Sequence, residues 1–439
     1  MKQVRTIFLI LLVILMSAGC SLKQTNTPDT TAVPSSPDGP KATEAPGTTQ
    51  APVSKFDPET DFDNRFGMNY DKLFETEGTY YFSAYNSAFL YYFDKASGDR
   101  GVLCPRPECM HDEGKDDGSC NGHIATIGAS LNYWGGRLHY YSTDQPPYNA
   151  VFSMALDGSD RTKDLYINIS SITPHVTPQR LDYHRGKLYG YDLRETVIDG
   201  EPFKRMIVFS IDAETGEFRE IYSALTNNGG LTEPYIVYKQ NFVYISYDEY
   251  TVAEEYKLDT FTWHLLQWSI DAEEIEEIVA ANAEDLDDTA LEHYICVGDD
   301  GRIWFAPQSN NLTAPLKVYL LEDGQISDAF RFDNTGVCFI VQDAAVNIFI
   351  FEKRWEVRRL DGSLIYMGEL DTSWLDGLDE EMSYSLDAIS SIMGTADEVF
   401  ISFYVEADDG SGTERICLVR YDMTGEKPVP TLIANARWN

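Results

Sequence analysis

The stretch GTYYFSAYNSAFLYYFDKASG, residues 78–98, holds the pattern that decides the fold. Two short runs of aromatic and apolar residues flank a polar loop, and the second run ends in Asp94 and a Ser–Gly turn. Runs rich in Tyr, Phe, Val and Ile that are bounded by Gly, Asp and Asn predict β-strands. The stretch therefore predicts two strands of one small antiparallel sheet.

The same unit recurs along the chain and indicates a repeat architecture. Its seven copies carry, in the first strand of each unit, the residues Tyr80, His139, Tyr189, Tyr244, Trp304, Cys338 and Phe400. One such sheet cannot stand alone, whereas radial packing of several buries their faces and protects their edges. We predict an all-β chain that forms a β-propeller of about seven blades. Six or eight blades, or a pair of β-sandwiches, are the alternatives.

Helical periodicity is nearly absent from the repeats. Only Asp271–Leu291 and Thr372–Met382 are predicted to be helical, both in connections between repeats. The run Asp271–Asp288 carries nine acids and no base. It does not fit the twelve-residue calcium loop of an EF-hand, so we interpret it as a solvated acidic face.

The turn that ends several units follows the pattern hydrophobic–Asp–x–x–Thr/Ser–Gly, as in Ile211–Gly216, with a shorter version in Tyr421–Gly425. This pattern resembles the blade hairpins of TolB-like and YWTD-type β-propellers, and the resemblance covers most of residues 75–435. The chain is also similar to the propeller lipoproteins of Gram-positive anaerobes. The resemblance implies a propeller body carried by a lipid-anchored protein.

The first twenty residues have the pattern of a lipoprotein signal peptide. Lys2 and Arg5 precede the ten apolar residues Ile7–Met16, a run too short to span a bilayer as a helix. The following Ser17-Ala18-Gly19-Cys20 resembles the lipobox of bacterial lipoproteins, although Leu is more frequent where Ser17 stands. The resemblance implies cleavage after residue 19 and diacylation of Cys20 (palmitate or a similar chain). An ordinary secretory signal is the alternative.

Residues 20–55 are predicted to be a disordered, lipidated tether rich in Thr, Pro and Ser. The part after Cys20 holds six of the nineteen prolines and no aromatic residue, so it cannot bury enough apolar surface to order itself. We therefore predict three parts: a signal peptide (1–19), the tether (20–55) and the propeller domain (56–439). The predicted location is extracytoplasmic, at the cell membrane through the lipid.

The charge of the chain narrows its partners. The 71 acids against 34 Lys and Arg give a formal net charge of −37, which excludes nucleic acid as a favoured partner. The first 55 residues contain five of the bases and three of the acids, so the propeller domain alone carries −39. We predict an extracellular protein or glycan as the partner, besides the membrane that holds the lipid.

A loop after the first repeat concentrates thiols and imidazoles. Between residues 104 and 123 lie three cysteines and two histidines, namely Cys104, Cys109, His111, Cys120 and His123. Cys104, Cys109, His111 and Cys120 would supply the four ligands of a structural zinc site, with His123 as an alternative to His111. A disulfide within the loop and an unligated loop are the alternatives. Cys296, Cys338 and Cys417 lie in apolar strands and are predicted to be core residues.

No nucleophile–base motif, zinc-protease motif or phosphate-binding glycine loop occurs in the sequence. We therefore predict a non-catalytic ligand- or protein-binding scaffold outside the cytoplasm. The alternative is an extracytoplasmic carbohydrate-active hydrolase or lyase that uses carboxylates, or His175 and His184, at the central channel. Several acids or histidines that converge on one mouth of the channel would favour the enzyme. An accessory partner of a membrane transporter or cell-wall machine is a third hypothesis.

Overall fold

The structure is a computed structural model. It describes residues 56–437 except 67–70, 86, 112–119, 125–129, 143–149, 166–177, 179, 228, 253–257, 287–290, 308–315, 334–335, 379–382 and 411–413. The predicted signal peptide, Cys20, the tether and His175 lie outside the described residues.

Seven antiparallel sheets, with strands paired in the order of the sequence, form the blades of a β-propeller. The first three blades consist of β1 (Lys72–Glu75), β2 (Thr79–Ser83), β3 (Leu90–Asp94) and β4 (Arg100–Val102); β5 (Ser130–Trp134), β6 (Arg137–Ser142), β7 (Ala150–Met154) and β8 (Thr162–Leu165); and β9 (Arg180–His184), β10 (Lys187–Ile198), β11 (Glu201–Asp212) and β12 (Phe218–Thr226). The fourth blade consists of β13 (Gly230–Leu231), β14 (Tyr235–Lys239), β15 (Phe242–Val252), β16 (Leu258–Ser269) and β17 (Glu274–Asn282). The last three consist of β18 (His293–Val297), β19 (Ile303–Pro307), β20 (Leu316–Glu322) and β21 (Gln325–Phe332); β22 (Val337–Ile340), β23 (Ala344–Phe349), β24 (Arg354–Arg359) and β25 (Leu364–Glu369); and β26 (Tyr384–Gly394), β27 (Glu398–Ala407), β28 (Glu414–Asp422) and β29 (Val429–Arg437).

The predicted fold class and the count of seven blades are confirmed. In blades 1 to 6 the first strand lies innermost, since each of these strands contacts the first strand of a neighbouring blade. The fourth strand lies outermost and is largely exposed in blades 1, 4 and 6, whereas β29 of blade 7 is partly buried. In blade 4 the innermost strand is divided into β13 and β14, which both pair with β15. Pro234 stands in the gap between them, where a residue without an N–H cannot continue the hydrogen-bond ladder.

Six of the seven residues that mark the sequence repeats lie in the second strand of a blade, whereas Cys338 lies in β22, the first strand of blade 6. This explains why Trp304 and Cys338 are only 34 residues apart. The second strand of that blade, β23, is rich in Ala and has no aromatic residue before Phe349. It therefore lacks the aromatic pattern by which the other copies are recognised.

The described helical segments are short: α1 (Ala283–Leu286) and the 3₁₀ turns Asn64–Phe66, Ile350–Glu352 and Ser373–Gly377. The helix predicted for Asp271–Leu291 is wrong, because Glu274–Asn282 forms the outermost strand β17. Most side chains of that strand face solvent, so its sequence lacks the alternation of apolar and polar residues that is typical of a half-buried strand. In Thr372–Met382 only the short 3₁₀ turn is helical among the described residues. None of the described helical segments has the length and apolar character needed to cross a membrane.

The core is divided between the blades. The buried apolar residues of the described chain form seven clusters, and each cluster joins two neighbouring blades. One of them joins blade 7 to blade 1 and closes the ring, which we call the seam. Across the seam Tyr80 packs edge-on against Phe400, with ring centroids 5.3 Å apart, and Arg100 donates to the Leu432 carbonyl at 2.7 Å. No described strand is shared between blades 1 and 7, so side-chain packing and side-chain hydrogen bonds close the ring.

Polar side chains fix some blades to each other in place of strand pairing. The Ser130 hydroxyl of blade 2 accepts a hydrogen bond from the Leu181 N–H of blade 3 at 2.9 Å. Two residues further on, the Asn132 amide donates to the Leu181 carbonyl and accepts from the Tyr183 N–H. Buried backbone groups must be paired, and these two side chains pair the inner strand β9 where no neighbouring strand reaches it.

The predicted Asp turns are present at the outer hairpins of five blades. In each of them an aspartate carboxylate accepts hydrogen bonds from backbone N–H groups two or three residues later; the residues are Asp94, Asp157, Asp212, Asp361 and Asp422. This geometry is an Asx turn, which explains why Asp recurs at the end of the third strand.

A segment before the first blade crosses one end of the ring. We call residues 56–66 the strap, and the end of the channel at which the innermost strands finish the strap end. The Phe62 N–H donates to His184 Nδ1 at 2.9 Å, and Asn64 bonds the backbone of Tyr238 in both directions. Phe66 is buried in the seam against Phe400. The strap thus contacts blades 3, 4 and 7 as well as the blade that follows it.

Candidate metal centre and ligand cavity

The predicted zinc ligands come together in the connection from β4 to β5. Cys104 follows β4 closely, and a turn at Arg106–Cys109 brings Cys109 back towards it. Cys120 is 2% exposed and belongs to the buried cluster of the seam. The ligand atoms of Cys104, Cys109, His111 and Cys120 all lie within 4.8 Å of one another.

These distances suit a tetrahedral metal site. Zinc with bonds of about 2.0–2.3 Å to nitrogen and sulfur separates its ligand atoms by roughly 3.5–3.8 Å, so a small contraction completes the site. The buried His111 Nε2 has no hydrogen-bond partner among the described residues, and His111 takes a left-handed backbone conformation (φ 50°). A metal would supply the missing partner.

Two thiols of the cluster have pKa values that are shifted in opposite directions. The His111 backbone N–H lowers the pKa of the Cys109 thiol, with further hydrogen bonds from Cys120 and Cys104. Burial raises the pKa of Cys120 to about 12. No disulfide joins any of the described cysteines. Three thiols and one imidazole fill all four positions of a zinc ion and leave no place for a substrate water, so the cluster suits a structural metal.

His123, the alternative ligand, is not part of this group. Its ring packs edge-on against Phe89, with centroids 5.5 Å apart, and its carbonyl accepts a hydrogen bond from Arg161. The His111 ring packs on the same phenylalanine. The three other described cysteines, Cys296, Cys338 and Cys417, are buried inside strands, as predicted for core residues.

A cavity with a volume of about 580 Å³ lies at the strap end, between the strap and blades 1 to 3. Six aromatic rings line it: Phe56, Phe62, Phe66, Phe74, Tyr133 and Tyr183. Phe74 and Tyr133 stack on each other at 4.8 Å across the junction of blades 1 and 2. An aromatic cavity of this size is typical of small-ligand sites.

Most charged groups in the cavity wall are already paired. Arg65 bonds Asp63 and Glu75, and Lys95 also bonds Glu75. Asp61 accepts from Arg185 of blade 3 at 2.7 Å. Burial opposes ionisation of Asp61, but the hydrogen bond from Arg185 outweighs it and lowers the pKa of this carboxyl. Such acids are held ionised and are unsuited to proton transfer near neutral pH.

Lys72 forms the inner wall of the cavity and is buried. Burial, assisted by the charge of Arg180, lowers the pKa of the Lys72 ammonium well below its usual value. Arg180 forms an ion pair with Asp182, with Nε and Oδ2 2.6 Å apart, and the Tyr238 hydroxyl donates to the same carboxylate. Charged residues thus lie in the interior of the ring beside an aromatic cavity.

Acidic groups also converge at the opposite end of the ring, where the innermost strands begin. Tyr191 donates to Glu233 at 3.0 Å. Glu292 is exposed to solvent, but desolvation by the protein that surrounds this end of the ring, together with the charges of Glu233 and Asp248, raises the pKa of Glu292 to about 6. Glu292 adopts a left-handed conformation (φ 64°), and its N–H donates to Asp248. A strained carboxylic acid with a pKa near neutrality is typical of functional sites.

The described histidines outside the Cys/His loop have structural partners. His184 Nδ1 accepts from the strap, and His184 Nε2 donates to the Gln240 carbonyl at 2.6 Å. His293 bonds Asp248, with both side chains fully buried. His139 stacks on Trp134, and His264 bonds Glu277 on the outermost strand of blade 4. The predicted pair of His175 and His184 cannot be assessed, since His175 lies outside the described residues.

The cavity was not predicted from the sequence, because its walls come from the strap and three blades that are far apart in the chain. One local signal was present: Phe56, Phe62 and Phe66 are three aromatic residues in an acidic segment just before the first repeat. Aromatic residues at this spacing in an otherwise polar segment indicate a segment that docks on the domain.

No protein-family model matches the chain, and no curated protein matches it either. Solved structures with a similar fold include the polysaccharide lyase Uly1 (TM-score 0.46, 10% identity, 85% of this chain and 93% of that chain). They also include an ulvan lyase (TM-score 0.41, 9% identity, 85% and 96%) and the β-propeller domain of the Trilobed protease from Pyrococcus furiosus (TM-score 0.36, 11% identity, 71% and 95%). Similarity at this level is limited to the fold.

Proposed function

We propose that this protein is a lipid-anchored, extracytoplasmic binding protein. In this proposal Cys20 carries the lipid, residues 20–55 form the tether, and the propeller is a non-catalytic scaffold that binds a ligand or another protein. The observation that supports binding is the aromatic cavity of about 580 Å³ at the strap end. Its described lining contains no histidine, serine or cysteine, and its most enclosed acids are paired with arginine or lysine.

The Cys/His cluster has a structural role in this proposal. A zinc ion held by Cys104, Cys109, His111 and Cys120 would fix the connection between blades 1 and 2 beside the seam. A scaffold whose ring is closed by side-chain contacts and not by a shared described strand gains stability from such a cross-link, because metal binding to the folded state adds to the free energy of unfolding.

Binding at the cavity is tested by photo-crosslinking in intact cells. A photoreactive phenylalanine analogue replaces Phe56, which is 47% exposed and lines the cavity. The control carries the same analogue in place of Leu364, which is 52% exposed on the outermost strand of blade 6. We expect an adduct at position 56 and none at 364. Equal adducts, or none at position 56, would contradict a binding site in this cavity.

Anchoring is tested separately by palmitate labelling and cell fractionation. We expect Cys20→Ala to abolish the label and to release the protein from the membrane fraction, while Thr25→Ala in the tether changes neither. Retention of the Cys20→Ala protein on the membrane, with no label on the unaltered protein, would rule out the lipid anchor.

A second candidate function is a carbohydrate-active hydrolase or lyase at the opposite end of the ring. The observation in its favour is the convergence of Glu233 and Glu292 there, with the pKa of Glu292 raised to about 6. Glycosidases need one carboxylic acid that is protonated near neutral pH beside one that is ionised. The test is release of reducing or unsaturated ends from a panel of polysaccharides. Release that is lost in Glu292→Gln supports the enzyme, whereas no release by the unaltered protein speaks against it.

A further inference from the structure

The wall of the strap-end cavity has more acids than bases. Five carboxylates line it, namely Glu59, Asp61, Asp63, Glu75 and Glu77, against the three bases Arg65, Lys72 and Lys95. A fourth base, Arg185 of blade 3, pairs with Asp61, while Arg65 and Lys95 pair with Asp63 and Glu75. Burial lowers the pKa of the Lys72 ammonium and so disfavours its charged form. Glu59 and Glu77 are exposed at the rim and take part in no ion pair among the described residues. The cavity therefore favours a positively charged occupant.

The cations already in the wall show how such surroundings hold positive charge. The Arg65 guanidinium lies 4.6 Å from the centroid of the Phe66 ring while it bonds two carboxylates. The Lys95 ammonium lies 4.3 Å from the centroid of the Tyr80 ring and bonds Glu75. Aromatic faces and carboxylates thus stabilise two cations together, by cation–π attraction and by ion pairing.

Other rings in the same cavity are still accessible. Phe56 is 47% exposed, and Tyr133 and Tyr183 are half-buried at the junction of blades 1 to 3. Together with Glu59 and Glu77 they provide the same two kinds of contact that hold Arg65 and Lys95. The volume of about 580 Å³ is sufficient for a ligand larger than a single inorganic ion.

We propose that the strap-end cavity binds a small organic cation, an alkylammonium or guanidinium group on an apolar stem. The inference rests on the proposed function, because it names the ligand class of the same cavity. The aromatic rings pack on the stem and on the face of the cation, and the rim carboxylates Glu59 and Glu77 pair with its charge. An anionic ligand is disfavoured by the surplus of acids.

The test is isothermal titration calorimetry of the purified protein with two cationic probes, one neutral probe and one anionic probe. The cations are Nα-acetyl-arginine amide and Nα-acetyl-lysine amide. The neutral probe is Nα-acetyl-citrulline amide, which has nearly the shape of the arginine probe, and the anion is Nα-acetyl-glutamate amide. We expect the arginine or lysine probe to bind at least tenfold more tightly than citrulline, with no binding of glutamate.

Substitutions locate the site. We expect Glu59→Gln and Glu77→Gln each to weaken binding of the cation several-fold, and Tyr133→Leu to weaken it further. Glu426→Gln, which removes one exposed acid from a hairpin of blade 7 outside the cavity, is the matched control and should leave binding unchanged. Circular dichroism of each variant shows that the fold is retained.

Three results would overturn the inference: equal affinity for arginine and citrulline, tighter binding of the glutamate probe, or no binding of either cation. The binding function itself is decided by the crosslink at position 56. A position-specific crosslink combined with failure of the cations would leave a binding protein with a different ligand class. Loss of both would remove the function and the ligand class together.

Discussion

The Asp212 carboxylate stabilises the turn that follows it through three hydrogen bonds. It accepts from the Glu214 and Thr215 N–H groups and from the Thr215 hydroxyl, at 2.8 to 3.1 Å. The bond from the Thr215 N–H is the main reason that the pKa of Asp212 is lowered. The same arrangement in four other blades makes this aspartate a recurrent stabilising element of the ring.

Asp212→Ala should therefore lower the free energy of unfolding by about 0.5–1 kcal/mol, since the turn is largely solvated. Asp212→Asn, which keeps an acceptor oxygen, should cost less, and Glu214→Gln should cost nothing measurable. The stabilisation is complete above the unfolded pKa of about 3.8 and is lost as the pH falls through the lower folded value. Urea unfolding at pH 7 and pH 3 measures both effects. An unchanged midpoint for Asp212→Ala at pH 7 would show that the turn contributes nothing.

The Cys/His cluster leads to a prediction about metal content. We expect about one zinc ion per purified chain by elemental analysis, and loss of that zinc in Cys120→Ser. Cys338→Ala, which removes a buried thiol from a strand of blade 6, should keep the metal. A chelator should lower the thermal midpoint of the unaltered protein, because metal bound only by the folded state stabilises it. Absence of zinc together with fewer than three free thiols at these positions would leave the disulfide alternative.

For individual residues, the sequence best predicts contacts between residues that are close together in the chain. Cys104, Cys109, His111 and Cys120 lie within seventeen residues, so their convergence follows from a short loop. The pairing of Glu233 with Tyr191, and the proximity of Glu292, depend on three different blades. With 71 acids in the chain, no spacing could distinguish these two from the rest.

The strap covers one end of the ring and is held there by its own buried side chains. Phe66 fixes its last turn, with 2% of the residue exposed and its ring edge-on to Phe400 at 5.4 Å. Phe66→Ala should lower the free energy of unfolding by about 3–5 kcal/mol, which is typical for removal of a buried phenylalanine. Phe56→Ala, at the exposed start of the strap, should cost less than about 1 kcal/mol and is the control. Similar urea midpoints for the two variants would show that the strap is not part of the folded core.

His184 makes the docking of the strap dependent on pH. Burial lowers the pKa of His184 to about 4, and its Nδ1 accepts the Phe62 N–H only while the ring is neutral. The unfolded chain, with a histidine pKa near 6.5, binds the proton first. Stability is therefore complete above pH 6.5 and is lost as the pH falls from about 6.5 towards 4.

We expect a loss of roughly 2 kcal/mol between pH 7.5 and pH 5, measured by urea unfolding. His184→Gln should flatten this dependence, although it lowers the stability at pH 7.5. His264→Gln removes a histidine at the surface of blade 4 and should leave the slope as it is. A slope that persists in His184→Gln would assign the pH dependence to other groups.

Among the elements, strands with alternating aromatic residues could be predicted and strands without them could not. β23 of blade 6 was missed because its Ala residues carry no aromatic pattern. The helix prediction for β17 is wrong because most side chains of this outermost strand face solvent, so burial imposes no alternation of apolar and polar residues on its sequence. The strap was missed because its partners belong to blades that follow it by more than a hundred residues.

The charge of the whole propeller domain acts against its compactness. The described residues between 56 and 437 form one ring, and the predicted domain of residues 56–439 carries −39. Like charges confined to one body repel each other, and salt screens this repulsion over about 10 Å at 0.1 M. We expect the urea midpoint to rise between 20 mM and 500 mM sodium chloride, with a smaller rise at pH 4.5, where many carboxylates are protonated. A midpoint that falls with salt would mean that the ion pairs outweigh the repulsion.

For the molecule as a whole the architecture was predictable and the function was not. Seven repeats of a strand pattern specify a propeller, since radial packing is the arrangement that covers every sheet. The walls of the strap-end cavity meet only once the ring has formed, so no single segment of the sequence predicts the cavity. A ligand site assembled from three blades and a strap is visible only in three dimensions.

The seam has a consequence for the order of folding. Because each blade is made from consecutive strands, a blade can form as soon as its own residues have been synthesised, without waiting for a strand from the other end of the chain. The contacts of blade 7 with blade 1 and with Phe66 of the strap need both ends of the propeller at once. A partly synthesised chain is therefore an open series of blades with two uncovered apolar blade faces. The arrival of blade 7 covers both faces in a single step.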